Sequence, residues 1–232
     1  MERYEITQSL VSSWQYMFDC FEGYEEDAEA EFLSALRREK PVLDEKRQQA
    51  IDNGIEFENL VTDIAEGRFI PEFETDGTIN KSSYGNGELM GYDKYPRWYD
   101  AAAKVAGIVR GGQFQVKAKK TVTVGGIEFL LYGRLDVLKA GTIYDVKFRN
   151  TSFQTGDVAG HYLNSPQHPF YFYLVPEARE FIYLVSDGDD LYTERYVPED
   201  CESAESIISR FVNYLILTGR LEEYKAHWEV AA

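Results

Sequence analysis

At 232 residues, with 44% hydrophobic and 28% charged side chains, the chain can bury a sizeable core and reads as one globular domain. It has no apolar stretch of membrane-spanning length, and its opening, MERYEITQSL, lacks the basic start and apolar run of a signal peptide, so the cytosol is the expected compartment. Two distant cysteines, Cys20 and Cys201, argue against a disulfide scaffold and a cysteine-built zinc or iron–sulfur centre, and the net charge of −16 argues against nucleic acid until its distribution is read.

That distribution is uneven. Asp19 to Asp76 holds 18 acids and 6 bases, whereas Lys94 to Lys120 holds 7 bases and one acid. A local basic stripe is what a phosphate backbone needs, whatever the total; on charge alone, a solvated face is the plainer reading. The 17 tyrosines read mostly as core residues with wet tips.

In chain order, Thr7 to Cys20 is expected to be a helix with Leu10, Val11, Trp14, Met17 and Phe18 along one stripe. Glu22 to Lys40 reads as an acidic helix with a thin apolar side of Phe32, Leu33 and Leu36, broken by Pro41. Asp44 to Glu66 is a stronger helix, its stripe Phe57, Leu60, Val61 and Ile64. Glu56 has polar helical neighbours and reads as solvated. Glu58 lies in an uncharged sector with Ile51, Gly54, Ile55, Val61, Thr62 and Ala65. An unpaired carboxylate buried there is costly, so it needs a cation, a donor or water; the plain alternative is an exposed edge residue.

Arg68 to Tyr95 reads as loop and strand fragments, Pro96 to Val109 as a helix ended by Gly111-Gly112, and Gln113 to Val124 as a strand turned by Gly125-Gly126. A hairpin then runs from Ile127 to Phe148. With Ala140-Gly141 as a two-residue turn, Lys139 pairs with Thr142, Leu135 with Val146 and Asp136 with Asp145; a bulge at Gly141 would shift this register by one. Lys147 and, opposite it, Arg134 then join the face of the two aspartates, while Leu135, Val137, Tyr144, Val146 and Phe148 form an apolar face. Like charges directly opposite destabilise a sheet, and a divalent cation between them would reverse the penalty.

Asn150 to Tyr162 is loop-like. SPQHPFYFYLVP is expected to be a helix with Ser165 as N-cap and Pro166 as its first residue, so that Gln167 and Tyr171 share a face. Strands follow over Arg179 to Ser186 and Leu191 to Val197, then helices over Ser203 to Leu217 and Leu221 to Trp228.

Glu58 on a helix, Asp136 and Asp145-x-Lys147 on a hairpin, and Gln167-x-x-x-Tyr171 on the next helix resemble the PD-(D/E)XK nuclease superfamily, particularly its RecB-like and phage (lambda-type) exonuclease branch. The matching stretches are GIEFENLV, GRLDVL, YDVKF and SPQHPFYFYL, within a core from about Asp44 to Val197. The resemblance implies an α/β (α+β) restriction-endonuclease-like core, a central mixed sheet flanked by helices, with helical additions over 1–43 and 198–232. It implies a Mg²⁺- or Mn²⁺-dependent deoxyribonuclease, an exonuclease of recombination, repair or phage type, working in a bacterial cell or phage-infected host, with a homo-oligomer or a recombination protein as possible partner. Asp136, Asp145, the carbonyl of Val146 and Glu58 would hold the metal, and Lys147 would orient the attacking water. Gln167 and Tyr171 would steady the site or hold the DNA backbone beside Arg134. Lys117 and Lys119, on one face of their strand, are the better phosphate-contact candidates, because Lys120 points to the other.

The sequence departs from the family in two ways. Phe57 and Glu58 stand where many RecB-like members place a metal-binding histidine, and two cysteines cannot supply the four ligands of the iron–sulfur cluster some relatives carry. His161, His168 and His227 match no metal spacing. Two alternatives stay open: a restriction-like or structure-specific endonuclease, and a non-catalytic DNA- or protein-binding member of the fold.

Overall fold

The computed structural model describes residues 2–69, 72–73, 79–80, 97–155 and 158–230. The chain opens with strand β1 (Arg3–Thr7), whose last residue caps helix α1 (Gln8–Asp19) by accepting a hydrogen bond from the Leu10 amide. Helix α2 (Glu25–Leu36) is sharply amphipathic: Ala28, Phe32 and Leu36 are buried while its acids face out. It ends at Leu36, ahead of Pro41, in a turn where Arg38 adopts φ +55. Helix α3 (Glu45–Ala65) is capped by Asp44, which accepts from the Arg47 amide, and it buries Phe57, Leu60, Val61 and Ile64 as its spacing requires.

Next come the short pair β2 (Glu72–Phe73) and β3 (Ile79–Asn80); the rest of the predicted loop to Tyr95, with Lys94, lies outside the described residues. Helix α4 (Tyr99–Val109) packs on α3, burying Ala101, Ala102, Val105, Ala106 and Val109. Three strands follow: β4 (Gln113–Val124), β5 (Ile127–Lys139) and β6 (Thr142–Phe148). Both turns hold two consecutive left-handed residues, Gly125-Gly126 and Ala140-Gly141, the backbone a tight hairpin needs. Helix α5 (Gln167–Leu174) begins one residue later than the sequence suggests, with Ser165 Oγ accepting from the Gln167 amide. Strands β7 (Glu180–Ser186) and β8 (Leu191–Tyr196), helices α6 (Ala204–Leu217) and α7 (Leu221–Trp228) and strand β9 (Glu229–Val230) complete the chain.

The result is an α/β fold with a mixed, seven-stranded central sheet flanked by helices. Its path is β8-β7-β6-β5-β1-β9, with β4 along the other edge of β5. β6 and β7 are parallel, as are β1 and β5; the other pairs are antiparallel. The expectation that residues 1–43 and 198–232 are helical additions is corrected here: β1 and β9 are sheet strands, and β1 lies directly against β5. The two ends also lock together, with Tyr224 donating to the Glu5 carbonyl (2.7 Å), Trp228 to the Leu36 carbonyl (2.7 Å), and Arg37 paired with Glu223 (2.6 Å). A second correction concerns Phe18, expected on the buried stripe of α1. It sits at the frayed end of the helix, 60% exposed, its ring edge-on to Trp14 and Tyr214. No helix among the described residues is long and apolar enough to cross a membrane.

Two apolar cores form. One, built on Ile6, Trp14, Phe32, Phe129, Leu131, Phe181 and Phe211, lies under α1, α2, α5, α6 and α7. The other, built on Phe57, Leu60, Ala102, Val105 and Val146, lies under α3 and α4.

His168, 2% exposed in the first core, lies 3.1 Å from the Tyr183 hydroxyl and stacks on Tyr196. Burial pulls its pKa from 6.5 down to about 4. The unfolded chain therefore takes up this proton at a pH where the fold still refuses it. Stability is lost as pH falls from about 6.5 to about 4, by about 3 kcal/mol for this group. Urea unfolding across that range should show the loss, and His168→Phe, which keeps the stack, should flatten it; an unchanged slope would contradict the assignment.

Candidate functional site at a gap in the sheet

Strand β5 is lined along one edge by β4, and its other edge is shared by two strands. β1 pairs with it from Glu128 to Tyr132 and β6 from Val137 to Lys139. Between them, Gly133, Arg134, Leu135 and Asp136 have no strand partner on that edge, and every candidate catalytic residue gathers around this gap.

The backbone groups in the gap are met by side chains. Tyr171, from α5, donates its hydroxyl to the Arg134 carbonyl at 2.9 Å. Asp136 Oδ2 accepts from the Val146 amide at 3.0 Å. The predicted register holds for Lys139–Thr142 and its two neighbours, but the ladder stops before the two aspartates. Asp136 and Asp145 are therefore not a laddered cross-strand pair; Asp136 has taken the amide beside Asp145. The apolar face expected to follow is also divided. Val137, Tyr144, Val146 and Phe148 join the core under α3 and α4, whereas Leu135 joins the other core. The change coincides with Gln115 on β4, which has a left-handed backbone (φ +53) where its strand faces Asp136 and where the ladder skips one pair.

Asp145 is 3% exposed. Its Oδ1 accepts from Gln167 Nε2 at 2.5 Å, and Lys147 Nζ lies 2.7 Å from its Oδ2. That oxygen is buried and takes no aligned hydrogen bond; it has the charge of Lys147 but not the direction of its N–H groups. Glu58, on α3 next to buried Phe57, is half-buried, and its Oε1 accepts from Gln115 Nε2 at 2.6 Å. Glu56 is exposed, as its polar helical neighbours imply, while Ile51 and Ile55 of the uncharged sector are exposed too, so the helix sector alone does not bury Glu58, whose hydrogen-bond partner comes from β4.

The three carboxyls act on one another electrostatically. Burial first, then the charge of Asp145, pushes Asp136 far above the usual carboxylate range, with Glu58 adding to the push and Lys147 opposing it. Burial and Asp145 likewise raise Glu58, against Gln115, Lys147 and Arg134. For Lys147 burial pulls the pKa down, but Asp145 and Asp136 outweigh it and hold the ammonium above its ordinary value. Lys147 is thus a permanent cation among three carboxyls.

The supporting residues divide. Gln167 is buried and fixed on Asp145. Tyr171 is 5% exposed with its hydroxyl committed to the Arg134 carbonyl, so it braces β5. Gly133 makes that bracing possible: a Cβ there would overlap the Tyr171 ring and lie 2.8 Å from Leu174 Cδ1. Arg134 is exposed above the gap, directly opposite Lys117 on β4; Lys119 is exposed opposite Tyr132, its ammonium 5.5 Å above that ring. Lys120 turns the other way, to the Tyr173 carbonyl and ring. Two residues unmarked in the sequence also belong here. Gln115 needs a left-handed backbone that no local signal announces. Tyr162, which stacks on Tyr183 (4.0 Å between centroids), exchanges electrostatic influence with Lys147 and Asp145 across the chain fold.

The donor set, carboxylate oxygens of which Asp145 Oδ2 is buried against the Lys147 ammonium, has the hard chemistry that Mg²⁺ and Mn²⁺ take. Among the described residues no three His, Cys, Asp or Glu side chains already close into a metal cage. Each carboxyl is held on its own neutral donor instead, so a cation would draw them together.

No protein-family model and no curated protein matches the sequence. A solved structure described as "Crystal structure of SSO0001" superposes with a TM-score of 0.50 at 12% identity, covering 94% of this chain and 78% of that one. At that identity the likeness is one of fold alone.

If repulsion among the carboxyls is real, Asp136→Asn should raise the melting temperature in EDTA at pH 8. It keeps an acceptor for the Val146 amide and removes a charge, and about 1 kcal/mol moves a chain of this size by about 2–4 °C. Gly133→Ala should lower stability by about 1–3 kcal/mol through the clash with Tyr171. A lower melting temperature for Asp136→Asn would contradict the repulsion.

Proposed function

We propose that the protein is a divalent-cation-dependent nuclease that hydrolyses phosphodiester bonds in DNA, and that α3, β4, β5, β6, α5 and β7 form a restriction-endonuclease-like core. The observation that carries this reading is the ion pair of buried Asp145 with Lys147 at the gap in the sheet, whose charges shift both Asp136 and Glu58. Three carboxyls kept together at a cost, with an ammonium among them, suit a site for a cation and a phosphate better than a structural core.

In this reading Asp136, Asp145, the Val146 carbonyl and Glu58 hold Mg²⁺ or Mn²⁺. The bound ion would lower the cost of negative charge developing on phosphorus and on the leaving oxygen. Lys147, held as an ammonium, cannot serve as a base. It donates hydrogen bonds to water or to a phosphoryl oxygen and offsets charge as the water oxygen bonds to phosphorus and the bond to the sugar oxygen breaks. Glu58, a carboxylate whose pKa burial and Asp145 raise, is the better proton acceptor. Gln167 keeps Asp145 from rotating, and Tyr171 keeps β5 in place. Arg134, Lys117 and Lys119 offer exposed positive charge on one face of the β4–β5 pair. The acidic surface of α2 would turn DNA away from other approaches.

End-labelled linear and closed circular DNA, incubated with the protein in Mg²⁺, test the reading directly. Cleavage should occur, vanish in EDTA and be lost in Asp145→Asn and Lys147→Ala, variants that stay folded. Loss of the linear substrate alone marks an exonuclease and loss of both an endonuclease; full activity in EDTA would sink the proposal.

DNA retention gives an independent check. A Lys117→Ala/Lys119→Ala variant, assayed in Ca²⁺ across a salt series, should bind all sequences more weakly and lose about two units of salt slope. Wild-type affinity and slope would place the DNA elsewhere.

A further inference from the structure

Gln115 is the residue most out of keeping with its surroundings. It sits within β4, a regular 12-residue strand, yet its backbone is left-handed at φ +53, a conformation that side-chain-bearing residues avoid without cause. The neighbouring register is unbroken on both sides, Phe114 with Val137 and Val116 with Leu135, so the chain spends this strain on one residue without inserting another. The strain aims one side chain. Gln115 Nε2 donates to Glu58 Oε1 at 2.6 Å across two elements 57 residues apart in sequence. The amide thus presents its N–H to a carboxyl oxygen, which accepts. That leaves Gln115 Oε1 on the other side of the amide, buried and without any hydrogen-bond partner. A buried carbonyl with no donor is costly and calls for an explanation.

We infer that Gln115 is a positioning residue for the cation site: its amide N–H holds Glu58 in place as a ligand, and its orphaned carbonyl accepts from the hydrated divalent cation. This inference rests on the proposed function and deepens it. Three separate facts meet in it. The strain explains why the residue is aimed, the short bond what it holds, and the unpaired carbonyl what it still lacks. It also gives Glu58 the same kind of support that Gln167 gives Asp145, so each of these two carboxyls is fixed by one neutral amide that leaves its charge intact. Such outer partners commonly tune metal affinity by 10–100-fold.

The test uses two variants chosen to spare the backbone. Gln115→Gly suits the left-handed conformation and removes the side chain. Gln115→Asn tolerates it and keeps an amide too short to span the contact to Glu58. Mn²⁺ affinity is measured by electron paramagnetic resonance of the free ion, and melting temperature is measured in EDTA. Both variants should bind Mn²⁺ about 10–100-fold more weakly than wild type while melting no lower in EDTA. Wild-type Mn²⁺ affinity in both would overturn the inference and leave the nuclease reading standing. Weakened binding matched by a lower melting temperature in EDTA would make Gln115 an ordinary structural residue and overturn it as well. A wild-type protein that neither binds Mn²⁺ nor cuts DNA would fail at the earlier step, in the proposed function itself.

Discussion

One hydrogen bond organises the site: the Val146 amide donates to Asp136 rather than to the backbone of β5. A continued ladder would have set Asp136 and Asp145 side by side in a closed sheet, with two like charges opposed and no room between them. Ending the ladder there opens the strands. The same bond tethers Asp136, so the opening does not become disorder. β1 closes the sheet again from Tyr132 onward, and Tyr171 covers the carbonyl left between. The gap is therefore a built feature, bounded on each side by regular pairing.

The gap also lies where the two cores meet. Leu135 anchors β5 in one core and Val137, two residues on, in the other, while Asp136 between them is the residue that must remain polar. Dense packing on both sides limits how far the carboxyls can relax away from one another. Their mutual repulsion is then held by the core, as strain often is where chemistry is done. Neutral donors (Gln115, Gln167 and the Val146 amide) fix each carboxyl, and Lys147 supplies a full positive charge in contact with Asp145.

Much of this was legible in the sequence. The hairpin turn at Ala140-Gly141 and the helices beginning near Asp44 and Ser203 follow from local rules of spacing and turn chemistry, and the structure places these elements within a residue or two. The strands β1 and β9 were not legible: five residues and two carry little periodicity, and their place depends on partners more than 100 residues away. The split of Leu135 from Val137 was hidden for a similar reason, since alternation assumes a regular strand and the irregularity is imposed by Gln115 from the neighbouring one. Tyr171 reads in sequence as a residue facing the site beside Gln167. Only the close approach at Gly133 shows it lying beneath the strand, buried and already bonded.

The central claim is that this gap holds its carboxyls together for a cation. The most direct measurement is the melting temperature of wild type and Asp145→Asn as Mg²⁺ is titrated at pH 8. A ligand that binds only the folded state stabilises it in proportion to the logarithm of its concentration above the dissociation constant. The account predicts a melting temperature that climbs with Mg²⁺ in wild type and stays flat in Asp145→Asn. A flat wild-type curve, or an equal rise in both proteins, would contradict it.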